Sequence, residues 1–360
     1  MKKKILFTVG PVTVSENVRK ALLCQDMVHR EEEFYNLLTK VREKLVKIAG
    51  GNEEYTSVIF TGSGTASIEA VISSVYGKIF TIINGGFGKK IDEMARRYGI
   101  QRTSIDFGFN YPSLEEIEET LKNDDAITHI AIIHNETATG MLNPLHEVGE
   151  LAKKYDKKLI VDAISSFGGH KLNVSEDNIG FCISGPNKCL ESLPGVSFII
   201  AKKALLEDLR NRDPRNLYLN LYNQYSGEEA DNVPCTFAIQ SLFALDAALD
   251  ELLEEGLENR IKRYKHFSKI LRDKLEKMGL QLLLPREQMS NVVTTVLLPE
   301  NVSFKEIHDG LKERGFIIYG GKGSLADRSF RVGNMGALKE KDIRNFLSAL
   351  EEVLNELKRE

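Results

Sequence analysis

The order of its apolar segments restricts this chain more than any other feature. Over roughly the first two hundred residues, short runs rich in Ile, Val and Phe alternate with amphipathic stretches. Residues 57–60 read as a buried strand, 66–75 as a helix and 79–83 as a second strand. Ser113 caps a charged helix whose Leu114, Ile117 and Leu121 share one face. Residues 127–134 form an apolar strand, 148–155 a helix and 159–161 another strand. Strands uniformly apolar along their length must be covered on both sides. Their alternation with helices therefore predicts an α/β fold with a mostly parallel sheet between helices.

The pattern changes after about residue 200. Residues 237–253 predict a long apolar-faced helix and 259–278 a second, highly charged one. Strand-like stretches at 292–298, 316–319 and 329–332 are interleaved with helices at 304–314 and 340–358. A smaller α+β domain is expected to follow the large one. The expected division is an N-terminal arm over 1–15, a large α/β domain over 16–240 and a small domain over 241–360. A chain of 360 residues has room for two such cores. No internal repeat or low-complexity linker interrupts it. Charged runs such as Glu31-Glu32-Glu33 are solvated helix faces.

Composition excludes several function classes. Lys plus Arg total 48 against 52 for Asp plus Glu, a net charge of −4. A nucleic-acid-binding surface would normally need a clear basic excess. No apolar run approaches the roughly 18–20 residues of a membrane span. The apolar stretch after Met1-Lys2-Lys3-Lys4 is too short for a signal peptide. Cys24, Cys182, Cys189 and Cys235 form no CxxC pair and have no His spacing for zinc, so no metal site is expected. They read as free thiols of a cytoplasmic protein.

Three local motifs carry chemistry. Thr61-Gly62-Ser63-Gly64-Thr65 lies between a strand and a helix. Two glycines permit close backbone approach, and a helix start offers free N–H groups and a positive dipole end, as a phosphate requires. Taken alone, a tight turn with a Ser/Thr cap uses the same residues. A P-loop would need Lys after its last Gly, and a dinucleotide fingerprint would need a third Gly at Ser67 and an acid after the next strand. That strand leads instead into Asn84-Gly85-Gly86-Phe87-Gly88. Asp162 stands at the C-terminal end of an apolar strand, where a carboxylate needs a positive partner or a turn to cap. Lys188 follows a short apolar strand and a Gly-Pro bend. Such an amine can have a lowered pKa and form Schiff bases, although a surface lysine is the default. In this order, a phosphate cup, an Asp and a Lys suit pyridoxal phosphate.

The chain resembles the class V branch of the fold-type-I pyridoxal-phosphate aminotransferases over nearly its whole length. Phe7-Thr8-Val9-Gly10-Pro11 is similar to that branch's opening, and Phe60–Thr65 to its phosphate loop. Within the branch, His134-Asn135-Glu136-Thr137-Ala138-Thr139-Gly140-Met141-Leu142-Asn143-Pro144 and Phe330-Arg331-Val332-Gly333-Asn334-Met335-Gly336 narrow the resemblance to members acting on small acidic amino donors. The resemblance implies that Lys188 holds the cofactor and moves the proton, while Asp162 pairs with the ring nitrogen. It implies that Ser63, Gly64 and Thr65 hold the phosphate, that Phe87 stacks on the ring and that Thr139 lies near its edge. Arg331 would bind the substrate's acid group, with Arg30 or Lys322 as a second donor. Where relatives usually place a Thr that reaches the neighbouring subunit's cofactor phosphate, this chain has Asn232, which can still donate a hydrogen bond.

The resemblance implies transamination between a small amino donor and a keto acid, with 2-aminoethylphosphonate and pyruvate as the expected pair. Alanine–glyoxylate or serine–pyruvate exchange is the alternative. Cysteine desulfuration is disfavoured, because the loop 320–329 holds no Cys. The resemblance also implies a homodimer with its active site at the interface. The N-terminal stretch and the polar loop 214–233 have no obvious home within one subunit, which is compatible with that arrangement.

Overall fold

The computed structural model describes residues 4–358. The first three residues of the expected arm and the last two of the expected small domain lie outside the described residues. A seven-stranded sheet forms the centre of the first two-thirds of the chain. Named by first residue, its strands run in the order Tyr55, Val196, Ile179, Lys158, Ile127, Lys78, Arg102. Six run parallel; Val196–Lys202 alone is antiparallel to both of its neighbours.

Strand residues alternate between two cores, as the two-residue period of a strand requires. Ile130, Ile132, Leu159 and Val161 face one core, which also takes helices Glu32–Ile48 and Ile239–Glu255. Ala131, Ile133, Ile160 and Ile183 face the other, beneath helices Gly64–Ser74 and Gly86–Arg97. Each fully buried Ile or Leu contributes about 1.5–3 kcal/mol, so this two-sided burial is what orders the sheet. The expected boundary at 240/241 falls just inside the helix Ile239–Glu255. The apolar face of that helix, through Leu242, Leu245 and Leu249, belongs to the core of the large sheet.

A second sheet of three antiparallel strands orders Val293–Leu297, Ser329–Gly333 and Tyr319–Gly320. Helices Leu257–Lys277, Phe304–Glu313 and Glu340–Leu357 pack around it. The expected strand at 316–319 is two pieces, Phe316–Ile317 and Tyr319–Gly320, in different sheets.

The N-terminal stretch does have a home in its own subunit, contrary to expectation. Ile5–Leu6 pairs in parallel with Phe316–Ile317. Phe7 is fully buried, with its ring 4.2 Å from that of Phe346. The polar loop 214–233 likewise contains the helix Leu221–Glu229, which buries Leu221, Gln224, Tyr225 and Glu228. Gln224 Nε2 donates to the Ile59 carbonyl and Glu228 Oε1 accepts from Ile59 N–H, which ties this helix to the large sheet, while Glu228 Oε2 lies 3.1 Å from Arg42 Nε.

Candidate active site

The parallel strands all end at one edge of the large sheet, and Ser63, Phe87, Thr139, Asp162 and Lys188 follow those ends. Tyr55–Thr61 leads into Gly62, held at φ 152°, and then into the helix Gly64–Ser74. Ser63 occupies the N-cap position in an extended conformation, yet its hydroxyl makes no capping bond. Ala66 N donates to the Ser63 carbonyl at 2.7 Å, and the N–H groups of Gly64 and Thr65 are left for an external acceptor. A Cβ at Gly64 would come within 2.5 Å of Ile164 Cδ1, so a glycine here lets the helix start approach the turn after Asp162. Lys90 Nζ donates to Thr65 Oγ1 at 2.9 Å and places a cation at the same helix start.

Asp162 closes the strand Lys158–Asp162 and is buried. Its Oδ1 accepts the backbone N–H of Ile164 at 2.9 Å. Burial pushes this carboxyl up to about 6, against the opposing pull of that N–H and of Lys188. Lys188 lies half-buried in the loop after Ile179–Ser184. Burial lowers its amine below the usual lysine value, against the charge of Asp162. A lowered amine pKa leaves more of Lys188 unprotonated near neutral pH, the form that acts as nucleophile or base, and a buried carboxyl held near neutral pH ionises readily when a cation arrives.

The backbone around Lys188 is fastened from two directions. The carbonyl of Cys189 accepts from Arg260 Nη1 at 3.1 Å and from the Tyr264 hydroxyl at 3.2 Å, both on the helix Leu257–Lys277. From the N-terminal arm, Gly10 packs so closely that a Cβ there would lie 2.8 Å from Lys188 Cγ.

Phe87 belongs to the first turn of the helix Gly86–Arg97, and its ring centroid lies 5.9 Å from Lys188 Nζ. Its backbone N–H donates to Glu136 Oε2 at 3.0 Å, while Glu136 Oε1 accepts from Ala138 N at 2.9 Å. Lys322 Nζ sits 3.7 Å from the same ring centroid. Thr139 is buried, and its hydroxyl donates to the Glu136 carbonyl at 3.3 Å, closing the turn after Glu136.

Arg331, on the strand Ser329–Gly333, reaches across to this turn. Its Nη1 donates to the Thr137 carbonyl at 3.1 Å and its Nε to the Gly320 carbonyl at 2.9 Å. Arg30 and Asn232, singled out for different tasks, meet each other. Arg30 Nη1 donates to Asn232 Oδ1 at 2.9 Å and to the Val233 carbonyl at 2.7 Å. Among the described residues, neither bonds to the Lys188–Asp162–Phe87 group.

Sequence reasoning passed over Glu136, Lys90 and Gly10 as working parts of the site. Glu136 carried a signal, since a lone carboxylate in a buried stretch needs donors. The position of Lys90, three residues after Phe87 on one helix, was also legible. Gly10 gave none, because its neighbour Lys188 is far away in sequence.

A family model described as Aminotransferase class-V matches residues 16–336. A 2-aminoethylphosphonate–pyruvate transaminase of Klebsiella pneumoniae is 38% identical over 97% of both chains. One of Bacillus cytotoxicus is 39% identical over the same shares. A solved alanine–glyoxylate aminotransferase of Nostoc sp. has a TM-score of 0.92 at 28% identity, covering 98% of this chain and 96% of that one.

Proposed function

This chain belongs to the class-V aminotransferase family, and on that premise we propose that it transfers the amino group of 2-aminoethylphosphonate to pyruvate, giving phosphonoacetaldehyde and L-alanine. The observation that carries the substrate pair is the near-full-length identity with relatives of that name. The residues described above fit pyridoxal 5′-phosphate. The helix start at Ser63, Gly64 and Thr65 has uncommitted donors for a phosphate, and Asp162 is a buried carboxyl suited to a cationic ring nitrogen. Lys188 is a half-buried amine beside the Phe87 ring. When bound, this cofactor supplies the carbonyl that takes up the substrate nitrogen and a ring that accepts the charge released at carbon.

In this reading the chain's own groups divide the work. Lys188 Nζ takes the proton from the substrate carbon that bears the nitrogen, and in the second half-reaction returns one to C2 of the pyruvate skeleton. Asp162 holds the ring-nitrogen proton. Phe87, fixed by Glu136, covers the ring face, and Thr139 closes the turn at its edge. Arg331 presents its outer N–H groups to the acid group, which suits either a carboxylate or a phosphonate.

The same proposal includes a large cofactor-binding domain and a small C-terminal one. It also includes a homodimer whose partner covers the exposed Leu23, Val28 and Leu217, with Arg30 and Asn232 facing the neighbouring site. All four cysteines are free, which supports a cytoplasmic location. Among the described residues no helix is long and apolar enough to cross a membrane.

The test is a donor panel: cofactor-loaded protein with pyruvate and, in turn, 2-aminoethylphosphonate, serine and glycine, reading alanine formed. Alanine with glyoxylate completes the panel. The proposal expects 2-aminoethylphosphonate to lead. Preference for serine–pyruvate or alanine–glyoxylate exchange selects the alternative.

A further inference from the structure

An enzyme exchanging an amino group between 2-aminoethylphosphonate and pyruvate must read two different acids in one place. A carboxylate carries one charge on two oxygens. A phosphonate carries between one and two charges near neutral pH on three oxygens, one bond further from the amine. Arg331 is only partly available for this task, because its Nε and Nη1 already donate to the carbonyls of Gly320 and Thr137. Its remaining N–H groups can pair with two oxygens of either acid, which leaves the third oxygen of a phosphonate without a partner.

Resting on the transamination reading above, we propose that Lys322 is the second anion-binding residue, pairing with the phosphonate oxygen that Arg331 leaves unmatched. Three observations carry this assignment. First, Lys322 follows Gly320 by two residues, so the loop that accepts from Arg331 also carries the lysine. Second, that loop is fixed. Gly321 N donates to the Ser329 carbonyl at 2.8 Å, and Leu325 N to the Lys322 carbonyl at 3.2 Å. A Cβ at Gly321 would meet the Leu325 carbonyl at 1.9 Å, so the turn is held tight at that glycine.

Third, the ammonium is placed and uncommitted. It lies 3.7 Å from the Phe87 ring centroid, on the residue that covers the reacting group. Among the described residues no carboxylate lies within ion-pair distance of it. A solvent-accessible cation on an aromatic face holds its place more weakly than one hydrogen-bonded to an anion, so it can exchange to a phosphonate. Burial, together with Arg331 and Lys90, lowers the proton affinity of Lys322 against the pull of Glu136. Lys322, Arg331 and Lys90 thus act on one another beside the Glu136 carboxyl, and an arriving dianion would pair with that group of cations.

The test uses ethylphosphonate and propionate, two inert anions with the same carbon chain and no amine. Their binding to cofactor-loaded protein is measured by titration calorimetry for wild type, Lys322→Gln and Lys322→Arg. Retention of the bound cofactor's visible absorption controls for folding. The proposal expects Lys322→Gln to weaken ethylphosphonate at least tenfold more than propionate, about 1.4 kcal/mol. Lys322→Arg should recover most of that selectivity. Equal weakening of both anions, or of neither, overturns the assignment of Lys322. Wild-type protein that binds propionate but not ethylphosphonate overturns the phosphonate reading itself.

Discussion

Glu136 Oε2 accepts the backbone N–H of Phe87 at 3.0 Å, tying the end of one strand to the first turn of a helix that follows another. The contact is tight enough to exclude a side chain between them. A Cβ at Gly85 would come within 2.3 Å of Glu136 Cγ. Burial raises the Glu136 carboxyl, opposed by N–H groups of Ala138, Phe87 and Gly88. Replacing one oxygen by an amide opposes an N–H donor to another donor. Glu136→Gln is predicted to weaken cofactor binding about 10- to 100-fold, the range of a lost hydrogen bond to a charged group. Equilibrium titration with pyridoxal phosphate measures it; unchanged affinity would remove Glu136 from the account.

The buried carboxyl of Asp162 gives a prediction with a definite sign. An unfolded Asp titrates near 3.9, whereas here the carboxyl is pushed up to about 6. The folded state therefore holds the proton more tightly. The stability this confers is complete below about pH 4 and lost as the pH rises through 6. In cofactor-free protein Asp162→Asn should accordingly be more stable than wild type at pH 7, by at most about 3 kcal/mol, with the difference vanishing near pH 4. The same variant should bind the cofactor more weakly, having lost the carboxylate that pairs with the ring nitrogen. Thermal unfolding at the two pH values decides it, and a variant less stable at pH 7 contradicts the prediction.

Lys188 is asked to move the proton, a task that accounts for roughly 10²–10⁴-fold in rate when done by a positioned side chain. In the proposed function it also anchors the cofactor, so Lys188→Ala should lose at least a thousandfold in kcat. Its loop is held through the backbone carbonyl of Cys189, so the variant should keep its fold. Turnover at saturating cofactor, together with circular dichroism, tests both halves. Activity within tenfold of wild type would remove the lysine from its role.

Gly10 has φ 109°, and a Cβ there would meet Lys188 Cγ at 2.8 Å and Cε at 3.0 Å. Gly10→Ala imposes both a backbone cost of about 1 kcal/mol and a push on the Lys188 side chain. The variant should fold with a modestly lower Tm and show a fall in kcat larger than its change in KM for pyruvate. A stability loss with kcat untouched would make Gly10 purely structural.

These predictions also show which parts were readable in sequence. Strands such as Ile127–Ile133 and Lys158–Asp162 announce themselves because both faces are buried and the residues are apolar throughout. Arg102–Asp106 went unread. It is an edge strand with exposed and half-buried positions alternating, and its residues are mostly polar. The strand Val196–Lys202 is not among the segments singled out from the sequence, and nothing local reveals that it runs against its neighbours. In the helix Glu32–Ile48 the charged run at its start is the conspicuous sequence feature, although Phe34, Leu38, Val41 and Leu45 form a helical stripe. In the site, Asp162, Lys188 and the 61–65 turn are local motifs at strand ends, and their order along the chain marks them. The work of Glu136 and Gly10 is created by contacts across long sequence separations. The meeting of Arg30 with Asn232 likewise spans two hundred residues, and no spacing rule encodes it.

The central claim is that Lys188, Asp162 and Phe87 hold a pyridoxal cofactor that exchanges nitrogen with 2-aminoethylphosphonate. Its most direct measurement is the visible spectrum of the cofactor-loaded protein before and after 2-aminoethylphosphonate, with L-alanine in parallel and pyruvate added last. The account predicts a yellow band that 2-aminoethylphosphonate bleaches and pyruvate restores. A band that responds to alanine or serine but not to 2-aminoethylphosphonate would contradict the substrate, and the absence of any band would contradict the role of Lys188.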